Sequence, residues 1–274
     1  MSTVAVVGLG LMGGSFALAL KRARPDTTLV GIDRDQLTLR RALDRGVITI
    51  GGPDLAAART ADVVVLAVPV LAMRGLLGQL KGTSALVTDM ASTKAEVMAW
   101  AAAAGVDLVG GHPMCGREAS GLEAADADLF RGAPWVLTRA EPGLEELVEA
   151  VGARPVVMDA ESHDRLVAGV SHAAFVVSAA YLLSVAGSPD WPEASRLASS
   201  GFRDMTRLAA GEPEMYAGIA RTNRARIAEA LDRFEASLAR LRRHLDHDDP
   251  RLAELFEEAR SARRRWESDD GRRP

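Results

Sequence analysis

The chain has 274 residues, with 33 Lys plus Arg against 37 Asp plus Glu and a formal net charge of −4. That length suits one large domain or two modest ones, and the acidic balance offers no basic face for nucleic-acid phosphates. A single cysteine, Cys115, rules out an intramolecular disulfide and gives no sign of secretion.

The first half alternates short apolar runs with helical stretches. TVAVVG (residues 3–8) predicts a buried strand and GSFALALKRA (14–23) a helix. The apolar run through both is broken by four glycines, so it reads as strand, turn and helix and not as a signal or membrane span. A second strand, TLVGID (28–33), precedes the helix RDQLTLRRALDRG (34–46), which ends at Gly46. Further strands follow at ADVVVLAVP (61–69), ALVTDM (85–90) and DLVGGHP (107–113), with helical stretches after the first two. Continuous apolar strands alternating with helices imply a parallel sheet covered on both faces. APWVLT (133–138) and RPVVMD (154–159), with the helix EPGLEELVEAVG (141–152) between them, are expected to extend that sheet at one edge. Aromatic residues make up only 4%, so the cores must rest on Ala, Val and Leu.

From about residue 160 the strand pattern gives way to helical periodicity. HDRLVAGVSHAAFVVSAAYLLSVAG (163–187) is nearly apolar throughout, as in a helix buried on all sides. Amphipathic helices are expected at residues 193–210, 215–245 and 252–266. The Arg-rich end (Arg260, Arg263, Arg264, Arg265, Arg272, Arg273) is interleaved with acids and reads as a solvated helix and tail. The expected fold class is therefore α/β: a Rossmann-like, doubly wound, mostly parallel sheet in residues 1–159, then an all-helical domain in residues 160–274. A helix apolar on every face in a small domain needs a partner to cover it, which points to a homodimer through this half.

Gly8-Leu9-Gly10-Leu11-Met12-Gly13 fits GxGxxG between a strand and a helix. Gly8 permits the tight turn, Gly10 lets the backbone approach a pyrophosphate, and Gly13 allows close packing of helix on strand. Twenty positions beyond Gly13, Asp33 ends the second strand, where a carboxylate holds ribose hydroxyls and repels a 2′-phosphate. NAD is thus the expected cofactor, and no metal is expected. Arg34 follows and suits stacking on adenine or meeting a phosphate. Val68 and Pro69, at the end of the strand in 61–69, belong near the nicotinamide ribose; strand termination alone also accounts for Pro69.

The densest polar cluster elsewhere is Gly111-His112-Pro113-Met114-Cys115-Gly116-Arg117-Glu118. His112 emerges just past an apolar run, at the sheet edge where open α/β folds place their ligands. Ser92 lies at the same edge after Asp89-Met90-Ala91; it serves equally as an N-cap for the helix that follows. A thiol-nucleophile reading of Cys115 lacks an orienting third residue, so Cys115 is taken as a small lining residue. His163, Asp164 and His172 lie on or near the apolar helix. His172 is eight positions past Asp164, close to two turns, so the two share a face and either pair internally or point at a cleft. In Gly201-Phe202-Arg203-Asp204-Met205-Thr206-Arg207, one arginine is expected to pair with Asp204 and the other to stay free for a carboxylate.

Taken together, GLGLMGGS, DMASTKAEV, GGHPMCGREASG, SHDRLVAGVSH and GFRDMTRLA resemble the prephenate/arogenate dehydrogenase family in order and spacing, from about Val4 to about Asn223. The resemblance implies a Rossmann-like domain followed by a helical dimerisation domain acting on a small molecule. The charge, the single cysteine and the glycine-broken N-terminal run make a cytoplasmic protein, with neither membrane nor nucleic acid as partner, the simplest reading. The resemblance further implies oxidative decarboxylation of prephenate to 4-hydroxyphenylpyruvate, or of arogenate to tyrosine. By matching position, His112 is similar to the catalytic histidine that bonds the ring 4-hydroxyl, and Ser92 to the serine beside that hydroxyl and the nicotinamide. Arg207 matches the substrate-carboxylate arginine and Glu118 an acidic gate or ion-pair position. Asp164 and His172 match polar residues lining the helical side of the cleft. One departure stands out: where the family often has His-x-Pro-His, this chain has His172-Ala173-Ala174-Phe175. No chorismate mutase segment or separate regulatory domain is expected.

The implied chemistry passes a hydride from ring C4 to the nicotinamide while neutral His112 takes the hydroxyl proton and the ring carboxylate leaves as CO2. Two other readings share the plan. A β-hydroxyacid dehydrogenase or imine reductase usually relies on a catalytic Lys or Asp in the helical half, which here has no Lys. A dinucleotide-binding regulator without chemistry has no need of His112, Ser92 and Arg207.

Overall fold

Pleating sends successive strand residues to opposite faces, and the central strands here meet apolar surroundings on both. In β1 (Thr3–Val7), Val4 and Val6 enter one core while Ala5 and Val7 enter the other. β4 (Val63–Leu66) divides in the same way, Val63 and Val65 against Val64 and Leu66. The first core is closed by α1 (Leu11–Ala23) and α5 (Pro142–Ala150) through Phe16, Leu20, Leu144 and Leu147. The second is closed by α3 (Val70–Gln79) and α4 (Ala95–Ala104) through Met73, Leu77, Val97 and Ala101. Each such fully buried Val or Leu contributes about 1.5–3 kcal/mol over its exposed state. With β2 (Thr28–Ile32), β3 (Ile50–Gly52), β5 (Leu86–Asp89) and β6 (Leu108–Val109), these strands make a six-stranded parallel sheet ordered β3-β2-β1-β4-β5-β6. This is the doubly wound arrangement expected, with α2 (Gln36–Asp44) crossing from β2 to the short edge strand β3 and capped by the Asp35 carboxylate. The computed structural model describes residues 2–245 and 249–270, except the side chains of 269 and 270.

The expected extension of this sheet is corrected. β7 (Gly111–Pro113), β8 (Pro134–Leu137) and β9 (Arg154–Val157) form a separate three-stranded sheet, β7 antiparallel to β8 and β8 parallel to β9. The chain leaves the large sheet at Gly110 because side chains take its amides. Gly110 N–H donates to Thr138 Oγ1 at 2.8 Å and Gly111 N–H to Asp89 Oδ1 at 2.9 Å. His112 is therefore the centre of a strand and not a loop residue beyond one.

In the helical half, α6 (Ala160–Val167) and α7 (Ala173–Ala186) are joined by a single π turn, Ala168–His172. Within one chain this helix is not buried on all sides, as had been expected. Only 28% of its most apolar 18-residue window is covered, and Val170 and Leu183 are 78% and 72% exposed. At a mean hydropathy of 1.9 it is long and apolar enough to cross a membrane by length and composition, yet His163, Asp164 and His172 on it are buried and hydrogen-bonded. The helix expected at 193–210 resolves into α8 (Trp191–Ala194), a 3-10 turn, α9 (Ser200–Thr206) and a second 3-10 turn, Arg207–Ala210, with Ser199 extended between them. That expected at 215–245 breaks at Asn223 into α10 (Pro213–Thr222) and α11 (Arg224–Leu245). α12 (Arg251–Asp270) covers the last expected helix and carries the ion pairs Arg260–Glu257 and Arg263–Glu267; Arg272 and Arg273 lie outside the described residues. Secondary structure changes character near Asp159, whereas the contacts group residues 1–224 as one unit and those from Ala225 onward as another.

Candidate functional site

The turn after β1 is shaped for a dinucleotide. Gly8 has φ +92, and a Cβ there would lie 2.5 Å from Ala67 O; a Cβ on Gly13 would lie 1.9 Å from Gly8 O. A side chain on Gly8 would collide with the backbone just after β4, and one on Gly13 would push α1 off the turn. A Cβ on Gly10 would meet nothing within 4 Å, so the backbone there faces open space. α1 has no side-chain cap, which leaves its first amides, from the turn through Leu11 and Met12, available to an anion. The turn also fixes Asp33, whose Oδ2 accepts from Leu9 N–H at 2.8 Å and Oδ1 from Asp35 N–H at 2.9 Å. Arg34 is exposed beside it, and Val68 and Pro69 lie at the end of β4, Pro69 capping α3. These features fit a dinucleotide with an unphosphorylated ribose.

Beyond β5 and β6 the residues form one connected polar network. His112, 7% exposed, is bonded through Nδ1 to His163 Nε2 at 2.8 Å, and His163 Nδ1 lies 2.8 Å from Asp164 Oδ1. Burial, then the neighbouring His163, Lys94 and His172, hold the His112 pKa well below the usual histidine value of 6.5, so its imidazole is neutral at pH 7. Lys94 is fully buried; its Nζ pairs with Asp89 and donates to Gly111 O at 2.5 Å. Burial lowers the Lys94 pKa and Asp89 opposes the shift.

Asp164 departs from its expected place in the substrate cleft. It is 2% exposed, and its carboxylate accepts from Lys94 N–H at 2.7 Å and Ala95 N–H at 2.9 Å. It thus caps α4 from seventy residues away, the task that Ser92 was a candidate for. Ser92 remains half-buried at the β5 edge, with its side chain outside that cap. Asn223, at the break between α10 and α11, donates to Asp164 O at 2.8 Å and to His172 Nδ1 at 3.1 Å. The π turn allows both contacts, since its wider ring shifts His172 relative to Asp164. His172 is fully buried, and its Nε2 has no hydrogen-bond partner among the described residues. Burial lowers its pKa to about 4, opposed by Asp164.

That depressed value predicts a pH dependence of stability. His172 stays neutral when folded but protonates near 6.5 when unfolded, so its contribution is complete above pH 6.5 and lost as pH falls towards 4. Urea unfolding at pH 7 and pH 5 should show the native chain losing about 2 kcal/mol more than His172→Gln over that interval. Equal losses would mean that His172 is protonated in the folded state.

Arg207 pairs with Glu118, eighty-nine residues earlier, and not with Asp204. The two side chains are 59% and 30% exposed, so this pair is a weak latch. Next to it Phe175 stacks on Tyr216, centroids 4.2 Å apart at 13°, and lies 5.8 Å from His172. The Cys115 thiol is pushed up to about 12 by burial, which removes it as a nucleophile. Sequence reading passed over three residues as site members: His163, Lys94 and Asn223. Lys94 carried a signal, as one of only three lysines in the chain and adjacent to the Ser92 turn.

Comparison with known proteins shows the family of this chain. Residues 16–159 match the family described as prephenate dehydrogenase, nucleotide-binding domain, and residues 159–258 the prephenate dehydrogenase, dimerization domain. The prephenate dehydrogenase of Lactococcus lactis subsp. cremoris is 32% identical over 284 residues, covering 100% of this chain and 80% of that protein. The crystal structure of Aquifex aeolicus prephenate dehydrogenase with hydroxyphenyl propionate and NAD+ is similar at a TM-score of 0.90 and 29% identity, over 97% of this chain and 98% of that one. Synechocystis arogenate dehydrogenase is similar at a TM-score of 0.81 and 32% identity, over 96% and 99%.

Proposed function

The chain belongs to the prephenate dehydrogenase family, and from that premise we propose how its residues carry out NAD-dependent oxidative decarboxylation of prephenate or arogenate in tyrosine biosynthesis. The observation that carries the reading is His112: neutral, nearly buried, and held by His163 on the strand that follows β6. Gly8, Gly10, Leu11, Met12 and Gly13 would hold the pyrophosphate, Asp33 and Arg34 the adenosine end, and Val68 and Pro69 the nicotinamide side. Bound NAD supplies the acceptor for the hydride of ring C4.

His112 takes the proton of the C4 hydroxyl as the C4–H bond breaks, leaving a carbonyl. The bond from the ring to its carboxylate then breaks, CO2 leaves, and the released electron pair completes the aromatic ring. The ring oxygen recovers its proton from His112. Ser92 assists at that hydroxyl, whereas His172 is fully buried and held by Asn223. Asp164 acts through His163 and α4 and not by touching substrate.

Arg207 anchors the side-chain carboxylate. Clamping the leaving carboxylate would stabilise the ground state, where its charge is greatest, and oppose the reaction. The substrate displaces Glu118 from the guanidinium, an exchange made easy by the exposure of that pair. Arg207→Ala should raise KM roughly 10- to 100-fold, the worth of a charge-assisted contact, and change kcat by much less. A fall in kcat with KM unchanged would reassign Arg207. Because His112 must be neutral to act, kcat/KM should hold level from pH 7 down to 6.5 and decline only below it, where His112 protonates. A decline centred above pH 6.5 would contradict that environment.

A cytoplasmic homodimer joined through the helical half completes the proposal. Val170, Leu183 and Leu197, the last 84% exposed, need a cover that one chain does not supply. A monomeric mass at micromolar concentration would count against it. The activity is tested by following NADH absorbance with prephenate and arogenate offered separately. Turnover of either supports the reading and names the substrate. Silence with both, with NADP as well, would return the β-hydroxyacid dehydrogenase and regulator alternatives.

A further inference from the structure

We propose that His163 is a positioning residue that fixes the tautomer of His112, through a hydrogen-bond chain whose direction is set by Asp164. This inference rests on the reading of His112 as the base.

The direction of the chain begins at the backbone. Lys94 N–H and Ala95 N–H can only donate, and they donate to the two carboxylate oxygens of Asp164. Held in that way, the carboxylate is an acceptor, so the bond between Asp164 Oδ1 and His163 Nδ1 places a proton on Nδ1. A neutral His163 with its proton on Nδ1 presents a lone pair at Nε2. His112 Nδ1, 2.8 Å away, must then be the donor. The remaining nitrogen of His112, Nε2, is left as a lone pair with no partner among the described residues, and only that tautomer can accept the substrate proton there. The two rings meet edge to face, with centroids 5.0 Å apart at 75°, so a nitrogen on one rim points at the other without stacking. A doubly protonated His163 would reverse the chain and leave His112 Nε2 protonated.

The chain also links the two halves of the protein. Asp164 and His163 lie on α6, while α4 and β7 belong to the sheet region. Correct seating of α6 against the α4 N-terminus is thus a condition for the base to point its lone pair outward.

The test reads the tautomer directly, by ¹⁵N chemical shifts of histidine ring nitrogens in the full-length protein near pH 7.5. Signals are assigned by replacing the five histidines singly. His112 should show a protonated Nδ1 and an unprotonated Nε2. In His163→Leu, which has no acceptor, the Nε2-protonated form should appear and kcat should fall roughly 10- to 100-fold, less than on removing the base, with KM and NAD affinity kept. His163→Gln, whose side-chain oxygen can still accept from His112, should retain the native tautomer and most of the turnover; it covers the case that the leucine variant does not fold. A proton on Nε2 of native His112 would overturn the proposal, as would an unchanged tautomer in His163→Leu. Failure of the base reading is separate: His112→Asn would stay active, whatever the ring shifts report.

Discussion

His112→Asn is expected to lower turnover by roughly 10² to 10⁴-fold while the binding of NAD and substrate persists. Asparagine keeps a polar side chain that can still reach towards His163 Nε2, so the network behind the site loses little. What disappears is the group that, among the described residues, is placed at this edge to take a proton and give it back. Ser92 cannot replace it, because a hydroxyl is far too weak a base at neutral pH, and His172 is oriented as a donor by Asn223. The Cys115 thiol stays protonated. The loss should therefore appear in kcat, with KM for substrate and the Kd for NAD within a few-fold of native. Residual activity close to native would remove His112 from the centre of the chemistry. A parallel loss of NAD affinity would instead mean that the strand bearing His112 shapes the cofactor cleft.

The parts legible in the sequence are those where a local pattern has a single physical solution. Consecutive apolar residues in 3–8 and 61–69 have to be strands buried on both faces, and Gly8 and Gly13 sit where no side chain fits. Elements decided by distant partners were not legible. The sheet ends at β6 because Asp89 and Thr138 take the amides of Gly111 and Gly110, and neither contact leaves a mark within 107–113. The helix expected at 215–245 breaks at Asn223, whose side chain is drawn to Asp164 and His172 fifty or more positions back. Histidine and carboxylate could be recognised as site residues by type, but their roles followed from packing. Asp164 looked like a cleft residue and caps a helix; His163 looked incidental and holds His112. For Arg207 the resemblance offered Glu118 as an acidic gate or ion-pair position, but nothing local to residues 201–207 pointed to a partner eighty-nine residues earlier.

Lys94→Met should destabilise the fold by about 3–5 kcal/mol, the cost of stranding one member of a buried ion pair. Both side chains of the Lys94–Asp89 pair are fully buried. Without the ammonium, Asp89 keeps two amide donors, Ala91 at 2.8 Å and Gly111 at 2.9 Å, but its charge has no counter-ion in an apolar surrounding. Gly111 O also loses its donor, one residue before His112. Arginine is a poor substitute, because the ammonium end is fully buried between Asp89 and Gly111 O and a guanidinium is larger and planar. The double variant Lys94→Met with Asp89→Asn removes both charges and should recover a substantial part of the loss, since a neutral pair carries no stranded charge. Urea unfolding of the two single variants and the double decides the matter. A cost below 1 kcal/mol for Lys94→Met would mean that water reaches the pair and that it holds nothing. The ammonium also acts on the base. It is one of the charges that keep His112 neutral, so where Lys94→Met still folds, the acid decline of kcat/KM should move to higher pH. A stability loss without that movement would confine Lys94 to holding the strand, and a movement with it would tie the buried pair to the state of the base.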